Sequence, residues 1–322
     1  MLIEVPREQA LGILGAMRAV ALEHGEGAVT KMDRETITGA ATIVFGLAGV
    51  RPDEIAPVDP AGLAALLDDE GEAEQAVRML SVMSLVDGVV DPGKTALVRA
   101  YASALGVRDG YLEILTQVAE DEVAQAAACI MRKNVESFPH LDADRLEISA
   151  VAPFLPYKDA PDPELEARYE ALGSLPPESF GHAFYDHFKR NSFEFPGNPN
   201  GLAEGFTTPH DSSHVLSGYS TSEAGEVCVS TFIGAMHPDH PMAAEVLPVI
   251  YSWHVGVELS ELANSAHGAL EPRHFWTAWD RGAATTVDVV DAEWDFWAAT
   301  EVPLEELRAD YGVPPVDPTL LA

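Results

Sequence analysis

The chain has 322 residues, 47% of them apolar, with 12 Phe, 8 Tyr and 5 Trp, which is enough length for two domains and enough core material to exclude general disorder. A formal net charge of −33 repels nucleic-acid phosphates and anionic headgroups, so polyanion binding is excluded, including nucleic acid. The same charge suits bound cations, or simply a solvated acidic surface.

The two cysteines, Cys129 and Cys228, lie in separate apolar segments and read as small buried hydrophobes in a reducing compartment, not as a disulfide. No charged segment followed by an apolar run opens the chain. The longest uncharged stretch near the start, Thr36 to Val50, is shorter than the roughly 20 residues of a membrane-spanning helix. The expectation is a cytoplasmic chain, at most peripheral at the inner face of a membrane.

Residues 1–135 read as helices separated by turns. Ala10, Ile13, Leu14, Met17 and Val20 recur at helical spacing up to a stop at Gly25. Further helices are expected from Arg34 to Ala48, from Glu72 to Val86, and from the turn Asp87-Gly88-Val89-Val90-Asp91-Pro92 to Gly106. Strand-like alternation is sparse, so the expected fold is an all-α bundle. Asp87 and Asp91 offer hard oxygen ligands, but the spacing of a full EF-hand loop is missing. The plainer reading is a turn at Gly88 and a helix start at Asp91-Pro92.

A helix, a turn, a second helix and a Leu-Gly or Leu-Ala-Gly stop occur around residues 17–50 and again around 80–107. On Ser84-Leu85-Val86-Asp87-Gly88-Val89-Val90-Asp91 and Ala104-Leu105-Gly106-Val107 this part resembles the TerB-like (tellurite-resistance) helical domain. Its first half departs from that pattern, with His24-Gly25-Glu26 in place of the acidic turn. Residues 136–163, which contain Pro153-Phe154-Leu155-Pro156 and Asp159-Ala160-Pro161-Asp162-Pro163, read as an acidic, proline-containing linker. The helical pattern resumes at Glu164, giving a second helical domain over 164–322. Its longest run, Met242 to Leu270, is expected to bend at Pro248, where a backbone donor is lost.

The most informative stretch is Pro209-His210-Asp211-Ser212-Ser213-His214, followed by Glu226. On a helix, His210 and His214 project from one face and Asp211 from its flank. Gly218 stops that helix, and Ser220, Thr221 or Ser222 caps the next, which returns Glu226 toward the histidines. Imidazole suits zinc, while carboxylates tolerate harder ions. A bare His-x-x-x-His pair is common on solvated helix faces, but Asp211 and Glu226 favour a metal site over that reading. A zinc-protease motif needs glutamate where Asp211 stands, so proteolysis is not expected.

His210-Asp211-x-x-His214 with Glu226 downstream resembles the signature of the Coq4 family of quinone-biosynthesis proteins. The likeness extends through Leu175-Pro176-Pro177-Glu178-Ser179-Phe180-Gly181-His182-Ala183, Val215-Leu216-Ser217-Gly218-Tyr219, Ala278-Trp279-Asp280-Arg281-Gly282, Asp291-Ala292-Glu293-Trp294 and Pro303-Leu304-Glu305-Glu306-Leu307-Arg308. The resemblance implies an all-α metal- and lipid-binding domain in which His210, Asp211, His214 and Glu226 hold one divalent ion, zinc first, with magnesium, manganese or iron as alternatives. It implies removal of the C1 carboxylate of a polyprenylated hydroxybenzoate head group, with or without oxidation there. The alternative is a non-catalytic isoprenoid-binding scaffold for other quinone-biosynthesis proteins, with a structural metal. A homo-oligomer is compatible with either.

His254 and Glu258, with Glu261 nearby, could form a proton relay or an outer partner to the site, the plainer reading being a surface pair or an internal hydrogen bond. Arg281 could meet a substrate carboxylate, or form a structural salt bridge. His182 and His187 are expected to be exposed, and Trp276, Trp279, Trp294 and Trp297 to anchor the last helices. Helices from Val227 and Met242 could line an apolar groove for a prenyl tail, or be ordinary core stripes.

Overall fold

A computed structural model of the chain describes residues 5–23, 28–138, 141, 154–259 and 265–321. The His24-Gly25-Glu26 turn, residues 139–140 and 142–153 of the expected linker, and Glu261 lie outside the described residues. Within them the fold is all-α, with no strand apart from an isolated bridge between Ser179 and Pro303. No helix among them is long and apolar enough to cross a membrane.

The longer helices are α1 (Arg7–Leu22), α2 (Lys31–Gly39), α3 (Glu70–Met83), α4 (Pro92–Leu105), α5 (Tyr111–Ala119), α6 (Val123–Ser137), α7 (Phe180–Asn191), α8 (Glu204–Ser217), α9 (Glu223–Met236), α10 (residues 241–255) and α11 (Pro272–Ala284). Side chains at their starts satisfy free backbone donors. Thr30 and Asp33 form a reciprocal capping box at α2, with Oγ1 of Thr30 accepting from the Asp33 N–H at 3.1 Å and Oδ2 of Asp33 accepting from the Thr30 N–H at 2.7 Å. The helix expected over Arg34–Ala48 starts earlier, at this cap, and ends in a wide turn at Ala40–Val44.

The acidic turn before α4 takes its plainer reading. Gly88 adopts φ 76°, and Oδ1 of Asp91 accepts from the N–H groups of Gly93 and Lys94 at 2.7 and 3.2 Å. Nζ of Lys94 donates to Oδ2 of Asp87 at 2.6 Å, with both side chains buried. The chain's own ammonium thus stands where a bound cation would.

The largest apolar cluster does not stop at the expected linker. It joins Ile13, Leu80 and Tyr101 from the first part of the chain to Val227, Val246 and Trp276 from the second. Helix α11 reaches back to α2, where the Trp276 indole N–H donates to the Thr36 carbonyl at 2.9 Å. Gly39 makes room for that ring, since a Cβ there would come 2.6 Å from Trp276 Cδ1. On α6, Asn134 donates to the Ala244 carbonyl, and the Ser137 hydroxyl donates to the Asp239 carbonyl at 3.0 Å. A second cluster centres on Phe138, Phe154 and Phe232, and a third on Tyr169, Phe184, Phe188 and Phe296. Both cysteines are free, with Cys228 buried.

The expected run from Met242 to Leu270 is shorter. Gly256 in the left-handed region (φ 85°) closes α10. Pro248, which cannot donate, falls between two wide i→i+5 segments, Pro241–Val246 and Ile250–Val255.

Candidate metal centre

Helix α8 carries His210 and His214 on one face, as their spacing demands. Gly218 (φ 84°) ends it, and Oγ of Ser222 caps α9 by accepting from the Gly225 N–H at 3.1 Å. The turn between them returns Glu226 to the histidines. Its Oε2 lies 3.5 Å from His210 Nε2 and its Oε1 3.4 Å from His214 Nε2. One donor atom from each of the three residues lies within 4.8 Å of the others. Zinc held tetrahedrally, with bonds of about 2.0–2.1 Å, separates its ligands by roughly 3.3 Å, close to the two shorter spacings.

The tautomer of His214 also fits. Its Nδ1 faces the Tyr219 carbonyl at 3.0 Å and must donate to it, so in the neutral ring Nε2 carries the lone pair. That atom is buried and has no hydrogen-bond partner. An imidazole fixed through one nitrogen by a backbone carbonyl, with the other bare, is the arrangement metal-ligating histidines use.

Asp211, the fourth expected ligand, lies outside this group of mutually close donor atoms. Being next to His210, it is turned about 100° around the helix, toward α7. There its Oδ1 accepts from His187 Nε2 at 2.7 Å, while its Oδ2 stays 3.8 Å from His210 Nδ1. His187, expected at the surface, is buried, and its ring lies against His214 with centroids 5.3 Å apart. Asp211 and His187 therefore back the cluster from behind.

Burial by itself would lower the pKa of His210. The neighbouring carboxylates of Asp211 and Glu226 outweigh it and push the value up to about 10. Burial would raise Glu226, but its contacts with His210 and His214 pull it down to about 2. Asp211 is held below the usual carboxylate range because His187 and His210 overcome its burial. A cation entering this cluster must displace the His210 proton.

The cluster opens on a cavity of about 600 Å³ whose wall is mostly apolar, with Ile130, Met131, Phe138, Leu202, Phe206, Val249 and Trp253 beside His210, Glu226 and Glu245. The Phe206 ring stacks on His210, centroids 5.1 Å apart. Of the two expected walls, α10 contributes most, while α9 adds Glu226 and Ser230. Helix α6, from the first part of the chain, forms a further wall that the sequence did not point to. No protein-family model and no curated protein matches this chain.

Three other candidates fall elsewhere. His254 is buried, with Nε2 donating to the Val86 carbonyl at 2.9 Å and Nδ1 accepting from the Leu270 N–H at 3.2 Å. Burial lowers its pKa, so it is a neutral strut with both nitrogens committed. Glu258 cannot pair with it one turn on, because α10 ends at Gly256. Arg281, also buried, donates to the carbonyls of Pro314 and Ser217 at 2.9 Å each and lies over the Tyr219 ring. It is outside the cavity wall and ties down the end of α8.

Sequence reasoning missed His187 and Glu245. Each left a faint signal. His187 sits on the apolar stripe Phe180, Phe184, Phe188, and Glu245 is a lone acid within Met242-Ala243-Ala244-Glu245-Val246-Leu247.

Proposed function

We propose that the chain is a metal-dependent enzyme of the Coq4 kind, with a TerB-like part in front, that removes the C1 carboxylate of a polyprenylated hydroxybenzoate head group. The observation that carries this reading is a three-donor cluster, two imidazoles and one carboxylate, opening into a largely apolar cavity. Structural zinc sites are closed by four protein ligands, whereas catalytic sites use three and keep a position open. With Asp211 turned toward His187, the donor count is the catalytic one, which weighs against the scaffold reading.

His210, His214 and Glu226 would hold the ion, with zinc suited by the donor set. When bound there, a divalent ion supplies Lewis-acid stabilisation of charge on a substrate carboxylate or phenolate oxygen. The Tyr219 carbonyl orients His214, and Asp211, held by His187, places its charge beside His210. The aromatic and aliphatic wall accepts a prenyl tail and keeps water from the head group, and α6 makes the TerB-like part a contributor to that wall. The partners this implies are a prenylated quinone precursor and other quinone-biosynthesis proteins at the inner face of a membrane.

Carbon dioxide release from a geranyl-substituted para-hydroxybenzoate tests the reading. Zinc-loaded protein should turn over, and chelated protein and a His210→Ala/His214→Ala variant should not. Bound lipid without turnover in the loaded protein would favour the scaffold and remove the enzyme.

A further inference from the structure

We propose that Glu245 is the catalytic acid of the cavity, the group whose proton replaces the lost carboxylate on the substrate ring. The proposal rests on the decarboxylase reading above, which leaves C1 in need of a proton and names no donor.

Four acids line the cavity, and three are otherwise engaged. Asp211 is bonded to His187, Glu226 belongs to the three-donor cluster, and Glu194 is exposed to solvent. Glu245 is 4% exposed, and its Oε1 is buried without a hydrogen-bond partner. A buried carboxyl oxygen left unpaired destabilises the fold, so its presence in an otherwise apolar run asks for a role. The other hydroxyl groups of the wall, such as Ser230 and Ser252, are far too weakly acidic to serve.

The backbone presses this side chain into place. Helix α10 starts from His240 in the left-handed region (φ 53°) and runs at once into a wide i→i+5 turn over Pro241–Val246. Such turns recur at functional sites because they redirect a side chain that a regular helix would carry past. At Gly234 on α9, an added Cβ would lie 3.1 Å from the Pro241 carbonyl oxygen and 3.3 Å from Glu245 Cβ. Glu245 is thus packed against the helix that bears Glu226, yet it stays outside the cluster of mutually close donor atoms, which suits an acid better than a further ligand. Burial also raises its titration, against the pull of His210 and His237.

In the step itself, the bond from C1 to the carboxyl carbon breaks, its electron pair stays on the ring and carbon dioxide leaves. The O–H bond of Glu245 breaks and its proton forms the new C1–H bond. The resulting carboxylate regains a proton from water, so one proton is consumed per carbon dioxide and no oxidant is required.

The test compares zinc-loaded wild type, Glu245→Gln and Glu245→Asp. Glutamine keeps the size and polarity but has no proton to transfer. Zinc content and affinity for the geranyl-substituted para-hydroxybenzoate should be unchanged, while carbon dioxide release falls about 10²–10⁴-fold. Aspartate should recover part of that loss. The infrared difference between wild type and Glu245→Gln should contain the C=O band of a protonated carboxylic acid, a readout independent of turnover. Should the glutamine variant not fold, Glu245→Asp carries the test, with slower release at unchanged zinc and affinity expected. Unchanged turnover in a folded variant, loss of zinc or affinity along with turnover, or an infrared difference showing only carboxylate would overturn the assignment. A wild type that binds zinc but releases no carbon dioxide overturns the decarboxylase reading, and the acid role falls with it.

Discussion

Two acidic sites in this molecule make opposite use of the same charge. In the turn before α4, Asp87 meets the buried ammonium of Lys94 at 2.6 Å. Between α8 and α9, Glu226 meets two imidazoles, and neither lysine nor arginine lies within ion-pair distance of it among the described residues. A carboxylate neutralised by a lysine of its own chain has no call for an external cation. One that faces imidazoles can take one, because a metal can displace the protons those rings hold. The contrast shows why counting acidic residues is a poor guide to cation sites, and why the partner of each carboxylate is the better one.

The contrast breaks most visibly if metal stabilises the wrong site. Zinc at a thousandfold excess over its dissociation constant should stabilise wild type by about 4 kcal/mol in urea unfolding, and His210→Ala/His214→Ala not at all. Lys94→Met should cost about 3–5 kcal/mol by stranding Asp87, with no rescue by zinc. Adding Asp87→Leu should restore most of that loss, because replacing both charges with apolar groups removes the unpaired one.

Smaller effects sharpen the comparison. His187→Gln should weaken zinc binding roughly 10–100-fold in chelator competition while leaving the Asp87–Lys94 site untouched, because it loosens Asp211 behind His210. Gly39→Ala, whose Cβ would press on Trp276, should cost on the order of 1–3 kcal/mol without changing zinc affinity, since it strains the shared core alone.

The smallest effect concerns pH. His237, at the end of α9, has its pKa raised above 6.5, with Asp288 at 2.6 Å overcoming the opposing effect of burial. A raised value means that the pair's stabilisation, on the order of 1 kcal/mol, is fully present in mild acid and lost as pH rises through the folded-state pKa. The unfolding free energies of wild type and Asp288→Asn should therefore differ most in mild acid and converge on raising the pH.

Local features were legible in the sequence. The helical periods of α1 and α3, the Asp91-Pro92 start of α4, the Gly218 stop and the Ser222 cap all depend on residues a few positions apart, and each formed as expected. The return of Glu226 to His210 and His214 followed from those stops and caps. What depended on distant packing did not show. Whether Asp211 faces the cluster or turns away is decided by His187 on another helix. The burial of His187 and Glu245 depends on what covers their stripes. The linker composition gave no hint that α11 packs on α2, or that α6 walls the cavity.

Titration of the metal-free chain with zinc, followed by calorimetry and elemental analysis, tests the central claim most directly. The account predicts one ion per chain, with protons released on binding, and none in His210→Ala/His214→Ala. Equal zinc uptake by the wild type and that variant, or none by either, would contradict it.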